Sequence, residues 1–300
     1  VTREPSVSIV TPCLNQAAYI EATLSSVLDA TSPPDEFVVV DGASDDGSAA
    51  VVERFADRLT SWVSEPDDGQ YDAIQKGFER TTGDVMAWLN AGDLFMPWTL
   101  SVVRELFGAF RELDWLTTQR PLIADDRGRV VSCEFIGGFA GRSFTAGVNL
   151  PGGDWFARAG IQQESTFWRR ELWERAGGRV DTSLQFAGDF ELWLRFFAHA
   201  ELYSLDSPLA AHRVHVGQKT EVLDAYVAEA SDVLRAAGHD TASGIAKHTR
   251  RGVFQTLGRR PLRRLPRIVA GPLVSARVLQ PTRTIVWRNG GWEAVRDYAV

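Results

Sequence analysis

The sequence predicts an α/β fold: an open, mostly parallel sheet with helices packed on it and a ligand cleft beyond its strand ends. Three observations predict it. Short β-rich runs alternate with helix-period segments through the first 120 residues. Polar or acidic residues stand at the C-terminal end of strand after strand. Three acidic clusters, Asp41 to Asp46, Asp67 to Asp72, and Asp93, fall at equivalent ends, where a lone cluster would read as turn and cap chemistry.

The elements follow in order. Ser6 to Thr11 reads as a buried strand and Pro12 to Gln16 as loop; Ile20, Leu24, Val27 and Leu28 then recur at helical spacing before Pro33 and Pro34. EFVVVD (36–41) is the second strand, followed by the turn-forming DGASDDGS. Val51, Val52 and Phe55 mark a helical face, 61–64 a third strand, 71–78 a helix and DVMAWL (84–89) a fourth strand running into Asn90-Ala91-Gly92-Asp93. The Gly-rich stretch 121–160 reads as a mobile connection or binding lid. Helices are expected at 169–176 and 189–199, β-like runs at 202–205 and 209–214, and an amphipathic helix carries Val222, Tyr226, Ala230, Val233 and Leu234.

At 300 residues and 44% hydrophobic content the chain buries a full-sized core. Cys13 and Cys133 offer neither a metal spacing nor a disulfide framework, which fits a reducing cytoplasm. No apolar run reaches the roughly 18 residues of a spanning helix. The net charge of −7 conceals a segregation: from Lys247 to Arg288 there are eleven Lys/Arg and no Asp/Glu. That run either meets an anionic membrane surface or packs as a solvated basic face. No nucleic-acid-binding signature accompanies it, so no nucleic-acid partner is expected.

Asp93 is presented on a tight turn where Gly92 permits close backbone approach, as a ligand to a hard divalent cation or as a cap for the helix near Pro97. Asp189, in the first turn of a Trp/Leu/Phe-rich helix, is either a general base facing the cleft or a carboxylate favoured by the helix dipole. Glu191 points to a different side. The segment from His212 to Thr220 combines imidazole, cation and amide groups, suiting a strap that closes over phosphates and metal.

At these residues the chain resembles the family 2 inverting glycosyltransferases of the GT-A fold, of the bacterial polysaccharide type. The resemblance covers roughly residues 5–220 through VSIVTPCLNQAAYIEATLSSVL, VVVDGASDDGS, SEPDDGQYDAIQKGFERTTGDVMAWLNAGD, QQESTFWRRELWERAGG and FAGDFELWLRF. It implies that Thr11, Pro12 and Asp41 line a nucleotide base, with Asp41 accepting from a uracil or thymine imide. Asp68, Asp72 and Lys76, together with Asn90 and Lys219, fall among the donor contacts. Asp93 and His215 fall on the metal or diphosphate, Asp189 on the catalytic base, and Gln163 and Glu164 on the acceptor wall.

Asn90 and Gly92 depart from the more common Asp pattern and leave fewer carboxylates for a metal. The expected protein is therefore a GT-A (Rossmann-like) nucleotide-diphospho-sugar transferase. Its donor part spans 1–120, its acceptor part 121–220, and a helical, basic C-terminal extension 221–300. It would use Mn²⁺ or Mg²⁺ and move a sugar from a UDP- or dTDP-type donor to a glycan, lipid-linked or small-molecule acceptor, in the cytoplasm and peripherally on the inner membrane face. A nucleotidyltransferase would need a glycine-rich basic loop where TPCLNQAAY stands, and a dehydrogenase would need G-x-G-x-x-G after a strand. A non-catalytic sugar-nucleotide-binding module of the same fold is the remaining alternative.

Overall fold

The computed structural model describes residues 3–150, 160–215, 223–239, 271, 273–274 and 279–299. Strand β1 (Val7–Cys13) is buried along its whole length and pairs in parallel with β2 (Glu36–Asp41) on one side and β4 (Val85–Trp88) on the other; β3 (Ser61–Ser64) extends the sheet beyond β2. Strands covered on both faces are buried at every position and mostly apolar, which is why VSIVTPC and FVVV carry no in-and-out alternation. Helices α1 (Ile20–Leu28), α2 (Ser48–Glu53) and α3 (Gln70–Phe78) connect these strands and bury Ile20, Leu24, Val27, Ile74 and Phe78.

The sheet continues through β9 (Phe167–Arg169), β6 (Trp115–Thr118) and β10 (Leu202–Leu205) to β12 (Gln280–Arg288) and β13 (Gly291–Ala299), nine strands among the described residues. Only β9 and β13 run antiparallel to their neighbours. A smaller sheet holds β5 (Leu94–Phe95), β11 (Ala210–Arg213), β7 (Leu122–Ala124) and β8 (Val130–Cys133). Further helices among the described residues are α4 (Thr99–Ala109), α5 (Gly141–Thr145), α6 (Arg170–Arg175), α7 (Gly188–Phe197) and α8 (Leu223–Ala236). No helix among the described residues is long and apolar enough to cross a membrane.

Two expectations are corrected. The stretch read as a mobile lid is packed through residue 150, with Ile136, Phe139, Phe144, Val148 and Leu150 buried and Phe144 stacked on Phe190 at 4.4 Å. Its glycines mark close approach: a Cβ on Gly141 would stand 3.0 Å from the Phe197 ring. Residues 151–159 lie outside the described residues. Among its described residues the C-terminal extension is helical in α8 and at 271 and 273–274, but its last stretch is a β-hairpin that adds to the main sheet through β10, turned at Asn289 and Gly290 with φ of 52° and 82°. Strands from all three expected divisions thus share one sheet. Most of the basic run 247–288 lies outside the described residues.

Helix α3 approaches β1 closely because Gly77 carries no side chain; a Cβ there would lie 2.3 Å from Val10 Cγ1. Gly77→Ala forces α3 away from the strand. A loss of roughly 1–3 kcal/mol, the cost of overpacking a filled core, is expected in urea denaturation; unchanged stability would show that the interface can repack.

Candidate active site

Strand order reverses at β1, flanked by β2 and β4, and the crevice of such a sheet opens beyond its C-terminal strand ends. A cavity of about 480 Å³ lies there, lined by Pro12, Asp67, Asn90, Asp93, His212 and His215 among others. A narrower cavity of about 170 Å³ shares Gln70, Asn90, Asp93 and His212 with it and continues to Glu164, Asp189 and Tyr226. The two form one recess with a wide and a narrow end.

The turn after β4 divides the recess. Asn90 Oδ1 accepts from Gln70 Nε2 at 2.7 Å, Asn90 Nδ2 donates to Gln163 Oε1 at 3.0 Å, and Gln163 Nε2 donates to the Trp88 carbonyl at 2.7 Å. An ionised Asp at 90 could not donate to Gln163, so the amide suits this network where a carboxylate would break it. Gly92 holds φ at 124°, which favours glycine. His215 stacks on Tyr19 at 4.2 Å, and its Nε2 lies 3.6 Å from where a Cβ on residue 92 would stand.

Strand β5 pairs antiparallel with β11, which brings Asp93 beside His212. Asp93 Oδ1 accepts from the Arg213 N–H at 3.0 Å and pairs with His212 Nδ1 at 3.0 Å. Asp93 therefore caps no helix: α4 starts at Thr99 and receives no side-chain cap. Burial opposes charge on His212, but the Asp93 carboxylate outweighs it and holds the imidazolium up at about 9. Glu164, on a 3-10 turn at Gln163–Ser165, is buried. That burial, reinforced by the charge of Asp93, pushes its carboxyl to about 7.

Asp189 opens α7. Its Oδ1 accepts from the Phe190 N–H at 2.8 Å and from the Tyr226 hydroxyl at 3.2 Å. Enclosure by the narrow cavity pushes its carboxyl up to about 6, against those two bonds. Such a value leaves it ionised at neutral pH and more basic than an open Asp, the balance a proton acceptor needs.

The other expected site residues are distributed unevenly. Pro12, Asn90, Asp93 and His215 line the wide end, and Gln163, Glu164 and Asp189 the narrow one. Thr11 is fully buried within β1, and Asp41 stands behind the wall, its carboxylate taken by the Ser44 N–H, the Ser44 hydroxyl and the Ser64 hydroxyl at 3.0, 2.5 and 2.6 Å. Asp68 is exposed, and Asp72 pairs with Lys76 at 3.0 Å. Within that acidic cluster it is Asp67 that faces the cavity. Lys219 lies outside the described residues. Sequence reasoning passed over Gln70, Tyr226 and Glu229; the signal for the last two was a Tyr and a Glu three positions apart on the inward side of an amphipathic helix.

For a divalent cation, Asp93 and His215 are two of the donors at the wide end, a carboxylate oxygen and an imidazole nitrogen that suit such an ion. Among the described residues both hydrogen bonds to the Asp93 carboxylate fall on Oδ1, so Oδ2 is the atom that would meet a cation. Among the described residues no cluster of three or more His, Cys, Asp or Glu is placed to hold a metal. Ligand oxygens and water would have to complete the shell.

Comparison with known proteins agrees with this fold. A model described as Glycosyl transferase family 2 matches residues 8–170. A putative teichuronic acid biosynthesis glycosyltransferase, TuaG, of Bacillus subtilis is 34% identical over 93 residues, covering 30% of this chain and 37% of TuaG. The chain spans less than half the length of the curated relatives it matches, 45% and 37% in two of them. Among solved structures, S. aureus TarS 1-349 in complex with UDP-GlcNAc aligns with a TM-score of 0.57 at 17% identity, covering 72% of this chain and 61% of that one. The mannosyltransferase PcManGT from Pyrobaculum calidifontis, in complex with GDP-Man and Mn2+, aligns at 0.52 and 19% identity, covering 83% of this chain and 79% of that one. At such identities these structures establish a shared GT-A fold.

The Glu164 carboxyl yields a stability test. Its folded value of about 7 stands above its ordinary 4.5, so ionisation costs stability from about pH 4.5 upward, and the cost is complete above about 7. Glu164→Gln, neutral at every pH, is expected to raise the melting temperature at pH 8 and to change it far less at pH 5. An equal change at both values would show that Glu164 does not titrate in this window.

Proposed function

Since the family model spans more than half of it, the chain belongs to glycosyl transferase family 2, and we propose that it is an inverting transferase acting on a nucleoside-diphosphate sugar. UDP or dTDP is the proposed donor class and a hydroxyl of a glycan, a lipid-linked sugar or a small molecule the acceptor. The observation that carries this reading is the continuous recess: a wide end at the strand termini, a narrow end holding Asp189, and shared walls between them.

In the proposed reaction the acceptor hydroxyl enters the narrow end and gives its proton to Asp189 as its oxygen bonds to the anomeric carbon. The bond from that carbon to the diphosphate breaks on the opposite side, and the nucleoside diphosphate leaves. Gln163 and Glu164 orient the acceptor, while Asn90, held by Gln70 and Gln163, fixes the wall between the two substrates. A bound Mn²⁺ or Mg²⁺, held by Asp93 and His215, would supply charge neutralisation for the diphosphate. The basic run 247–288 is proposed to rest on an anionic membrane surface near a lipid-linked acceptor.

Asp189→Asn keeps the shape of the side chain and removes the proton acceptor. A loss of about a hundredfold or more in transfer is expected, with nucleotide binding retained. The base works when ionised, so wild-type kcat/KM should fall as pH drops through about 6. Wild-type turnover in the variant would assign the base elsewhere. Separately, Asp93→Asn should weaken the Mn²⁺-dependent part of UDP binding in calorimetric titrations, whereas coincident curves would mean that Asp93 serves only the His212 pair.

A further inference from the structure

Helix α8 lies beyond the span of the family match and opens the stretch expected to be an appendage, yet it reaches the narrow end of the recess, where Leu223 and Tyr226 are part of the wall. Two side chains one turn apart on it meet the start of α7. The Tyr226 hydroxyl donates to Asp189 Oδ1 at 3.2 Å. The Glu229 carboxylate accepts three consecutive main-chain N–H groups, from Gln185 at 2.9 Å, Phe186 at 2.7 Å and Ala187 at 2.6 Å. Those residues lead directly into Gly188 and Asp189.

We infer that α8 is an integral part of the active site, in which Tyr226 and Glu229 act as positioning residues that fix where Asp189 stands and how readily it takes a proton. The inference rests on the reading of Asp189 as the base. From the other side, Tyr71 of α3 donates its hydroxyl to the Phe186 carbonyl at 2.7 Å, and its ring fills the space a side chain at Gly188 would need, 2.7 Å from that Cβ position. The segment 185–188 is therefore gripped by a carboxylate on its amides and a phenol on its carbonyl, from two helices distant in sequence. Three charge-assisted bonds to one carboxylate leave that segment little freedom.

The two positioning residues act on the Asp189 proton in opposite senses. The Tyr226 bond favours the carboxylate form, and the negative charge of Glu229 favours the protonated form. Tyr71 and Glu164 are the other titratable groups that sense or perturb Asp189 electrostatically.

The test uses the full chain with ¹³C-labelled aspartate carboxyls, following the Asp189 resonance through a pH titration by NMR and assigning it by its loss in Asp189→Asn. A wild-type midpoint near 6 is expected. Tyr226→Phe should move the midpoint up and Glu229→Gln should move it down, while both variants keep nucleotide binding. A purely architectural role would lower thermal stability in both variants and leave the midpoint where it was, and that result overturns the inference. If Glu229→Gln does not fold, Tyr226→Phe, which removes one oxygen and keeps the ring, decides alone. Failure of the base assignment is read separately, as turnover surviving in Asp189→Asn.

Discussion

The site depends on a stack of two indoles. Trp193, one turn beyond Asp189 on α7, lies parallel to Trp88 at the end of β4, with ring centroids 5.8 Å apart and planes 8° from parallel. Trp88 runs directly into the turn that carries Asn90 and Asp93. A single packing contact therefore fixes the helix bearing the proposed base against the strand bearing the wall of the wide cavity. Trp168 meets both indoles edge-on at 5.5 Å, and Trp115 and Phe196 close the layer around Trp193. Aromatic pairs of this kind contribute about 0.5–1.5 kcal/mol each beyond the area they bury. Their larger consequence is geometric, since reacting groups must be held to within a fraction of an ångström.

Onto that frame the chain loads charges in unequal environments. Asp93 is paired with an imidazolium, Glu164 is buried with its carboxyl pushed to about 7, and Asp189 stands at about 6. Three acids within one recess would repel one another if all were ionised and unpaired. The structure separates them by environment: one neutralised by a cation, one inclined to hold its proton, one ionised at neutral pH and poised to accept. Carboxyls driven apart in this way take different chemical roles. The roles proposed for Asp189 and Glu164 follow from that separation, reached through burial and not through any difference in side-chain chemistry.

Much of the frame was legible in the sequence because its signals are local. The four N-terminal strands read as apolar runs of the right length, and α1, α3 and α7 as helix-period segments, each close to its observed bounds. What was not legible depends on contacts distant in sequence. Nothing near Asp93 announces that His212, 119 residues on, will take its carboxylate. Nothing near Asp41 shows that Ser64 will help saturate it behind the cavity wall. The glycines at 138 and 141 read as freedom and proved to be close packing against Thr282 and Phe197. The hairpin at Asn289-Gly290 did carry a local signal, the Asn-Gly pair favoured in tight β-turns, which the surrounding arginines and prolines obscured.

The turn at 90–93 shows how one missing side chain rearranges a wall. With glycine at 92, the space beside Asp93 is taken by the His215 ring, itself stacked on Tyr19, and the Arg213 guanidinium stands over the Tyr19 ring, 5.4 Å from its centroid. An acid at 92 would compete with that ring for room and would add a negative group beside Asp93. Glycine instead leaves a wall whose acid is already paired to His212 and whose neighbours are imidazole and guanidinium. The field at the wide end is accordingly less negative than a second acid in the turn would make it. For the diphosphate proposed to bind there, the surface would be partly neutralised before a cation joined it, by the His212 imidazolium beside Asp93.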